Sequence, residues 1–184
     1  MITPNMLTGS RIVIALIIPF VLLIDRTVTK DLIALALFAI ASITDWFDGY
    51  LARKHALISG LGKVLDPIAD KILTLGMFGI FAYIGLYHWI LVVFIFIREI
   101  LVTTIRFVYL KRGKVIPAES AGKIKMCVQI VSLSVSFLYL LKVDSGSPEN
   151  LSIWNGVNLT CIGLANILTI TSGLSFLKHL PRKG

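Results

Sequence analysis

The sequence predicts an all-α integral membrane protein of six transmembrane helices, and three observations support that prediction. The chain has 184 residues, of which 57% are hydrophobic, and its mean hydropathy is +0.88. A water-soluble domain of this length needs more polar surface than this composition supplies. Six apolar segments are long enough to cross a bilayer, and basic residues concentrate in alternate connections between them.

The first three predicted spans are delimited by turn signals or charge. The first covers residues 7–25 and is interrupted by Pro19, which predicts a kink. It is expected to be retained, because no small-residue cleavage site follows it. The second covers residues 31–53, after a short Asp-Arg-Thr connection. The third covers residues 66–86, with Pro67 at a predicted first helical position, where its missing N–H costs nothing.

The last three predicted spans cover residues 88–110, 121–143 and 153–178. A basic loop with Gly and Pro separates the first two, and a Gly-Ser-Pro turn precedes the third. No repeat, low-complexity tract or second domain is evident, so residues 1–184 are predicted to form a single membrane domain. Three aromatic residues at the outer span ends are predicted to lie in the membrane interface: Tyr87, Trp89 and Trp154.

The net charge of +8 is explained by membrane topology rather than by nucleic-acid binding. In a six-span chain, 15 of the 18 basic residues fall on one side. Cytoplasmic loops of membrane proteins carry an excess of Lys and Arg. We therefore expect a multi-pass protein of the cell membrane whose termini and active site both face the cytoplasm. We expect no nucleic-acid partner.

Four aspartates stand between the apolar runs of spans two and three. Helical spacing places two of them on one face with small residues, and the other two on one face with a glycine. Carboxylates this close repel one another, and a hard cation such as Mg²⁺, Mn²⁺ or Ca²⁺ would relieve the repulsion. The alternative is that they are helix caps and surface charges. The two faces consist of Asp45, Asp48, Gly49 and Ala52, and of Gly62, Asp66 and Asp70.

Residues 45–70 resemble the signature of the CDP-alcohol phosphotransferase family. They fit D-x-x-D-G-x-x-A-R-x8-G-x3-D-x3-D at all eight fixed positions. The resemblance implies a transferase that moves a phosphatidyl or related group from a CDP-linked donor to an alcohol and releases CMP. It also implies a two-metal site for Mg²⁺ or Mn²⁺. The implied metal ligands are Asp45, Asp48, Asp66 and Asp70.

The resemblance further implies how the aspartates and their neighbours divide the work. Asp70 would be the catalytic base that takes the proton from the attacking hydroxyl, although spacing alone leaves open which aspartate is ligand and which is base. Asn5 and Thr8 could reach the nucleotide, or could only cap and anchor the first span. The implied residues for binding the CDP part of the donor are Asn5, Thr8, Asp48, Gly49, Ala52, Arg53 and Gly62.

A basic cluster in spans four and five predicts a phosphate-bearing acceptor. Arg98 interrupts an apolar span, Arg106 follows eight residues later, and Lys123 and Lys125 open the next span. A neutral alcohol does not need this charge, whereas Arg binds phosphate with two donors. The pattern resembles the bacterial phosphatidylglycerophosphate synthase branch of the family, although Met126 stands where Thr is usual. That branch joins CDP-diacylglycerol to sn-glycerol 3-phosphate, and its family commonly forms homodimers among membrane lipids.

Three alternatives remain open from the sequence. Arg98 and Glu99 could form ion pairs that only fix helix packing. The acceptor could instead be inositol phosphate, serine or phosphatidylglycerol. A divalent-cation transporter would also use carboxylates at membrane depth. Transport needs polar groups along a path through the bilayer, however, and the outer halves of the spans are expected to be apolar.

Overall fold

The computed structural model of the chain is a bundle of α-helices. It describes the backbone of residues 4–24, 26–55, 62–113, 120–146 and 149–180, and the side chains of 9–24, 26–44, 68–113, 122–146 and 149–180. Over these residues all regular structure is helical, with no strand, in agreement with the predicted all-α class. The helices are α1 (Pro4–Leu23), α2 (Val28–His55), α3 (Gly62–Tyr83), α4 (Trp89–Lys111), α5 (Ser120–Asp144) and α6 (Leu151–Lys178).

The two ends of the bundle differ in the residues that meet there. At one end, Arg26 between α1 and α2 donates two hydrogen bonds, of 2.6 and 3.0 Å, to Asp144 at the end of α5. At the other, the starts of α3 and α5 meet the later part of α4 around a polar cavity. We call these the Asp144 end and the cavity end.

The core is built around α3, which contacts α1, α4 and α5, while α5 packs extensively against α6. Phe81 of α3 meets Phe137 of α5 edge to face, with ring centroids 4.9 Å apart, and Phe38 of α2 lies 5.5 Å from the same ring. All three side chains are buried. Between membrane helices such contacts stabilise through close packing, because lipid tails are as apolar as the side chains.

The outward faces of the helices are apolar, as a lipid-embedded bundle requires. Phe20 on α1 is 65% exposed and Ile97 on α4 is 57% exposed, and many aliphatic side chains resemble them. Water-soluble monomers rarely expose apolar surface on this scale. Among the described residues, two segments are long and apolar enough to cross a membrane, Gly122–Asp144 and Leu151–Lys178, and Gly9–Leu23 is a shorter apolar helix. These observations support a membrane protein.

The start of α3 differs from the prediction. The helix begins at Gly62, four residues before the predicted span, so Pro67 lies inside it and not at its first position. The Asp-Pro pair is typical of a helix start, but here the preceding turn of Gly-Lys-Val-Leu is already helical. Asp66 therefore cannot cap the helix by preceding its first residue, which removes the simplest structural explanation of that aspartate.

Two expectations about the Asp144 end are wrong. Tyr87 is only 4% exposed and is not an interfacial residue: its ring packs edge to face on Phe81, and its hydroxyl hydrogen-bonds to Ser136. Ser136 also donates to Asn158 of α6 at 2.8 Å, so this half of the bundle is not purely apolar. Small polar side chains of this kind join membrane helices. Trp89 remains half exposed. The case against a transporter therefore no longer rests on apolar outer halves.

Candidate active site

At the cavity end, α3, α4 and α5 line a polar cavity of about 280 Å³. Its wall includes five basic and two acidic side chains, a formal excess of three positive charges. Hydroxyl and amide groups of Thr74, Thr103 and Gln129 add neutral hydrogen-bonding capacity. The charged residues of the wall are Asp70, Lys71, Arg98, Glu99, Arg106, Lys123 and Lys125.

Glu99 holds three of the basic residues together. Its carboxylate accepts a hydrogen bond from Lys125 of α5 and one from Arg98 at 3.0 Å, and it lies 3.6 Å from the Lys71 ammonium. The side chains of Glu99 and Lys125 are each only 7% exposed. A buried ion that lacks a partner costs several kcal/mol, roughly, so each of these two groups makes burial of the other possible. Glu99 thereby connects α3, α4 and α5.

Arg98 lies between the cavity and α6. One terminal nitrogen donates to Glu99 at 3.0 Å, and the other donates to the Ser172 hydroxyl at 2.9 Å. Its side chain is 13% exposed. The guanidinium is therefore fixed at both ends before any ligand arrives. The sequence left open whether Arg98 binds a ligand or only pairs with Glu99, and the structure shows that it forms the pair and also lines the cavity.

Arg106 and Lys123 form the exposed rim of the cavity. Both side chains are exposed, and within the described part of the chain neither has an acidic residue in ion-pair contact. Arg106 stacks over Phe176 of α6, with its guanidinium carbon 5.4 Å from the ring centroid. Such a cation–π contact orients the group while leaving its N–H donors available. Among the described side chains, no carboxylate pairs with either of these two positive charges.

Asp70 faces the same cavity from α3. Its side chain is half-buried and belongs to the wall that also contains Arg98 and Lys125. The predicted base and all four predicted phosphate-binding residues thus line one cavity. The structure does not describe the side chains of the remaining predicted site residues, which are Asn5, Thr8, Asp45, Asp48, Gly49, Ala52, Arg53, Gly62 and Asp66.

The backbone at those positions is nevertheless helical. α2 is continuous through Asp45 and Asp48, and α3 is continuous through Asp66 and Asp70. Because both segments are helical, the i, i+3 spacing of Asp45 and Asp48 puts them on one face of α2. The i, i+4 spacing of Asp66 and Asp70 puts them on one face of α3. None of the four stands at a helix end. The alternative that these four aspartates are simple helix caps is therefore wrong, because the helices continue through them.

The comparisons with known proteins agree with the motif. Residues 1–170 match the family model described as CDP-alcohol phosphatidyltransferase. The chain belongs to the CDP-alcohol phosphatidyltransferase family. A Bacillus subtilis protein named CDP-diacylglycerol–glycerol-3-phosphate 3-phosphatidyltransferase is 35% identical over 86% of this chain and 89% of its own length. A Rickettsia felis protein of the same name is 36% identical, over 95% and 93%. A Mycobacterium tuberculosis protein, a probable phosphatidylglycerophosphate synthase, is 37% identical, over 82% and 66%.

Family membership raises the question of metal binding, because these transferases are generally dependent on divalent metals. The donor set fits a hard cation, since it consists of carboxylates without His or Cys. Among the described side chains alone, no group of three or more potential ligands comes together. Of the four aspartates, only Asp70 has a side chain that the structure describes.

Several wall residues were not predicted from the sequence. Lys71 and Gln129 line the cavity, and neither was assigned to the site from the sequence. Ser172 reaches the site only through Arg98, 74 positions earlier in the chain. A polar residue on the buried face of an otherwise apolar helix was the available signal. That signal could not have identified Arg98 as the partner of Ser172.

Proposed function

We propose that the protein is a CDP-diacylglycerol–glycerol-3-phosphate 3-phosphatidyltransferase, which forms phosphatidylglycerophosphate and CMP in phospholipid biosynthesis. The observation that carries the proposal is the cavity wall, where the described side chains carry a formal excess of three positive charges beside Asp70. A phosphate-bearing acceptor would offset most of that excess, whereas a neutral alcohol would offset none of it. The names of the Bacillus and Rickettsia relatives support the same acceptor.

In the proposed reaction, the cavity orients sn-glycerol 3-phosphate by its phosphate. Arg106 and Lys123 at the rim meet the dianion, and Arg98 lies deeper in the same wall. The free primary hydroxyl then points to Asp70, which accepts its proton as a general base. The hydroxyl oxygen bonds to the phosphorus that carries diacylglycerol, and the bond from that phosphorus to CMP breaks. CMP departs with the electron pair of that bond.

The donor is proposed to lie on the motif residues. Asn5, Thr8, Asp48, Gly49, Ala52, Arg53 and Gly62 would contact its CDP part. Mg²⁺ or Mn²⁺, held by Asp45, Asp48, Asp66 and Asp70, would supply positive charge to the pyrophosphate and the leaving CMP. Gly49 and Ala52 have almost no side chain, so a nucleotide could approach the helix backbone there.

The membrane arrangement belongs to the same proposal. Residues 1–184 form one domain with six transmembrane helices, multi-pass in the cell membrane, with the cavity end and both termini in the cytoplasm. The excess of basic residues that the sequence assigns to one side of the membrane supports this orientation. The orientation lets the acyl chains of the donor remain in the bilayer while the acceptor enters from water. The protein is proposed to act as a homodimer.

An acceptor panel tests the proposal. Purified protein in detergent with CDP-diacylglycerol and Mg²⁺ or Mn²⁺ should release CMP when sn-glycerol 3-phosphate is added. Release should stop if donor, acceptor or metal is omitted. Serine, inositol phosphate and phosphatidylglycerol complete the panel. Faster CMP release with any of these three than with sn-glycerol 3-phosphate would refute the proposed acceptor.

A further inference from the structure

Gly173 of α6 lies against the side-chain stem of Arg98. A Cβ atom built on Gly173 would lie 3.0 Å from Cγ of Arg98 and 3.6 Å from its Nε. Ordinary contacts between carbon atoms are about 3.5–4.0 Å, so an alanine there would push the arginine by several tenths of an ångström. Gly156 and Gly163 on the same helix have open space around the same position. Among these three glycines, only Gly173 is required by a neighbouring side chain.

The residue before this glycine fixes the end of the same arginine. The Ser172 hydroxyl donates its hydrogen to the carbonyl oxygen of Thr169 at 3.1 Å. Its oxygen is then left to accept the 2.9 Å hydrogen bond from Arg98. The serine therefore acts as a directed acceptor, since its only proton is used within its own helix. Together with Glu99 it holds the guanidinium from two sides.

One helical turn earlier, α6 supports a second group of the cavity in the same manner. Thr169 donates its hydroxyl hydrogen to Ala165 at 2.6 Å and accepts a hydrogen bond from the Gln129 amide at 3.1 Å. Thr169 and Ser172 are buried, and Gln129 lines the cavity. The buried face of α6 thus supports cavity groups that α4 and α5 supply, although its backbone forms no part of the wall.

We propose that Ser172 and Gly173 are positioning residues that set the affinity of the cavity for a phosphate group by holding Arg98 in place. The missing side chain of Gly173 lets the arginine stem pass against α6, and the Ser172 oxygen fixes the orientation of the guanidinium. The identification of that phosphate with the acceptor rests on the proposed function. The placement of Arg98 and its effect on anion binding do not.

The test compares paired variants of the full chain in detergent. Gly173→Ala is matched by Gly163→Ala, the same change on the same helix with open space around it. Ser172→Ala is matched by Thr171→Ala, because the described hydrogen bonds of the Thr171 hydroxyl go to carbonyls of its own helix. Both test variants are also combined with Arg98→Ala. Inorganic phosphate binding is measured by titration calorimetry, and CMP release gives separate KM values for donor and acceptor. The thermal midpoint confirms folding.

The proposal expects Gly173→Ala and Ser172→Ala each to weaken phosphate binding roughly ten-fold, the value of about one charge-assisted hydrogen bond. The KM for sn-glycerol 3-phosphate should rise in parallel, with the donor KM unchanged. In the Arg98→Ala background neither change should have a further effect, because residues that act through a shared partner are not additive.

Other results overturn the proposal. Test variants that bind phosphate as well as their controls refute it, as do effects that add in full to that of Arg98→Ala. If Gly173→Ala does not fold, the comparison of Ser172→Ala with its control Thr171→Ala alone decides. If wild-type protein shows no turnover of sn-glycerol 3-phosphate while phosphate binding follows the expected pattern, the proposed function fails and the positioning role stands. If wild-type protein turns over sn-glycerol 3-phosphate normally but the variants do not show the expected loss of phosphate binding, the positioning role fails and the proposed function stands.

Discussion

Replacing Glu99 by glutamine tests whether its carboxylate is the electrostatic centre of the site. The change keeps the size and one acceptor oxygen but removes the carboxylate that pairs with Lys125, whose side chain is 7% exposed. Breaking a buried ion pair by removing one partner costs about 3–5 kcal/mol. The contact with Lys71 adds little, because that side chain is 23% exposed and the ions are 3.6 Å apart. The loss is therefore dominated by Lys125 and Arg98.

The expected readout is the thermal midpoint of the detergent-solubilised protein. For a chain of this size about 2–4 °C is lost per kcal/mol, so Glu99→Gln should lower the midpoint by on the order of 10 °C. Glu149→Gln is the matched control, since Glu149 is exposed at the opposite end and should shift the midpoint by less than about 2 °C. Equal midpoints for the two variants would show that Glu99 does not compensate a buried charge, and the account of the wall would fail.

Three further variants separate chemistry, binding and packing. Asp70→Asn should reduce CMP release by about 10²–10⁴-fold, the usual contribution of a general base, with an unchanged thermal midpoint; nearly normal turnover would remove the proposed base. Arg106→Ala should raise the acceptor KM by roughly ten-fold without changing the donor KM, whereas Arg112→Ala, at the exposed end of α4, should change neither. Tyr87→Phe should destabilise the protein by about 1 kcal/mol through its lost bond to Ser136, at normal CMP release. An activity defect there would show coupling between the two ends.

Much of the fold and of the candidate site was predictable because the information is local. Apolar length identified the helices, and positive charge within an apolar span indicated Arg98 and Arg106 as candidates for phosphate binding. Lys123 and Lys125 were assigned to the same site from their charge and from the family resemblance, and all four line one cavity. The sequence did not show, however, which of these basic residues are buried and which are exposed. Lys125 is buried against Glu99, whereas Lys123 is exposed at the rim.

The remaining features depend on contacts between distant parts of the chain. Ser172 and Gly173 are ordinary small residues in an apolar helix until Arg98, from α4, packs on them. Tyr87 was expected at the interface because aromatic residues at span ends usually lie there. The turn before α4 instead directs its ring inward onto Phe81. No local pattern specifies which neighbour such a residue will meet, so only the assembled bundle reveals it.

The basic residues of the cavity divide into two groups with different physical tasks. Lys125 and Arg98 are already bound to Glu99, so the cost of placing them at depth is met by folding and not by the ligand. Arg106 and Lys123 remain at the exposed rim, where they can exchange water for phosphate oxygens. A wall in which every cation was paired would attract no anion, and one in which none was paired would not hold its shape. The excess of three charges is compatible with folding because Glu99 sets the geometry of the buried cations while the rim cations remain in contact with water.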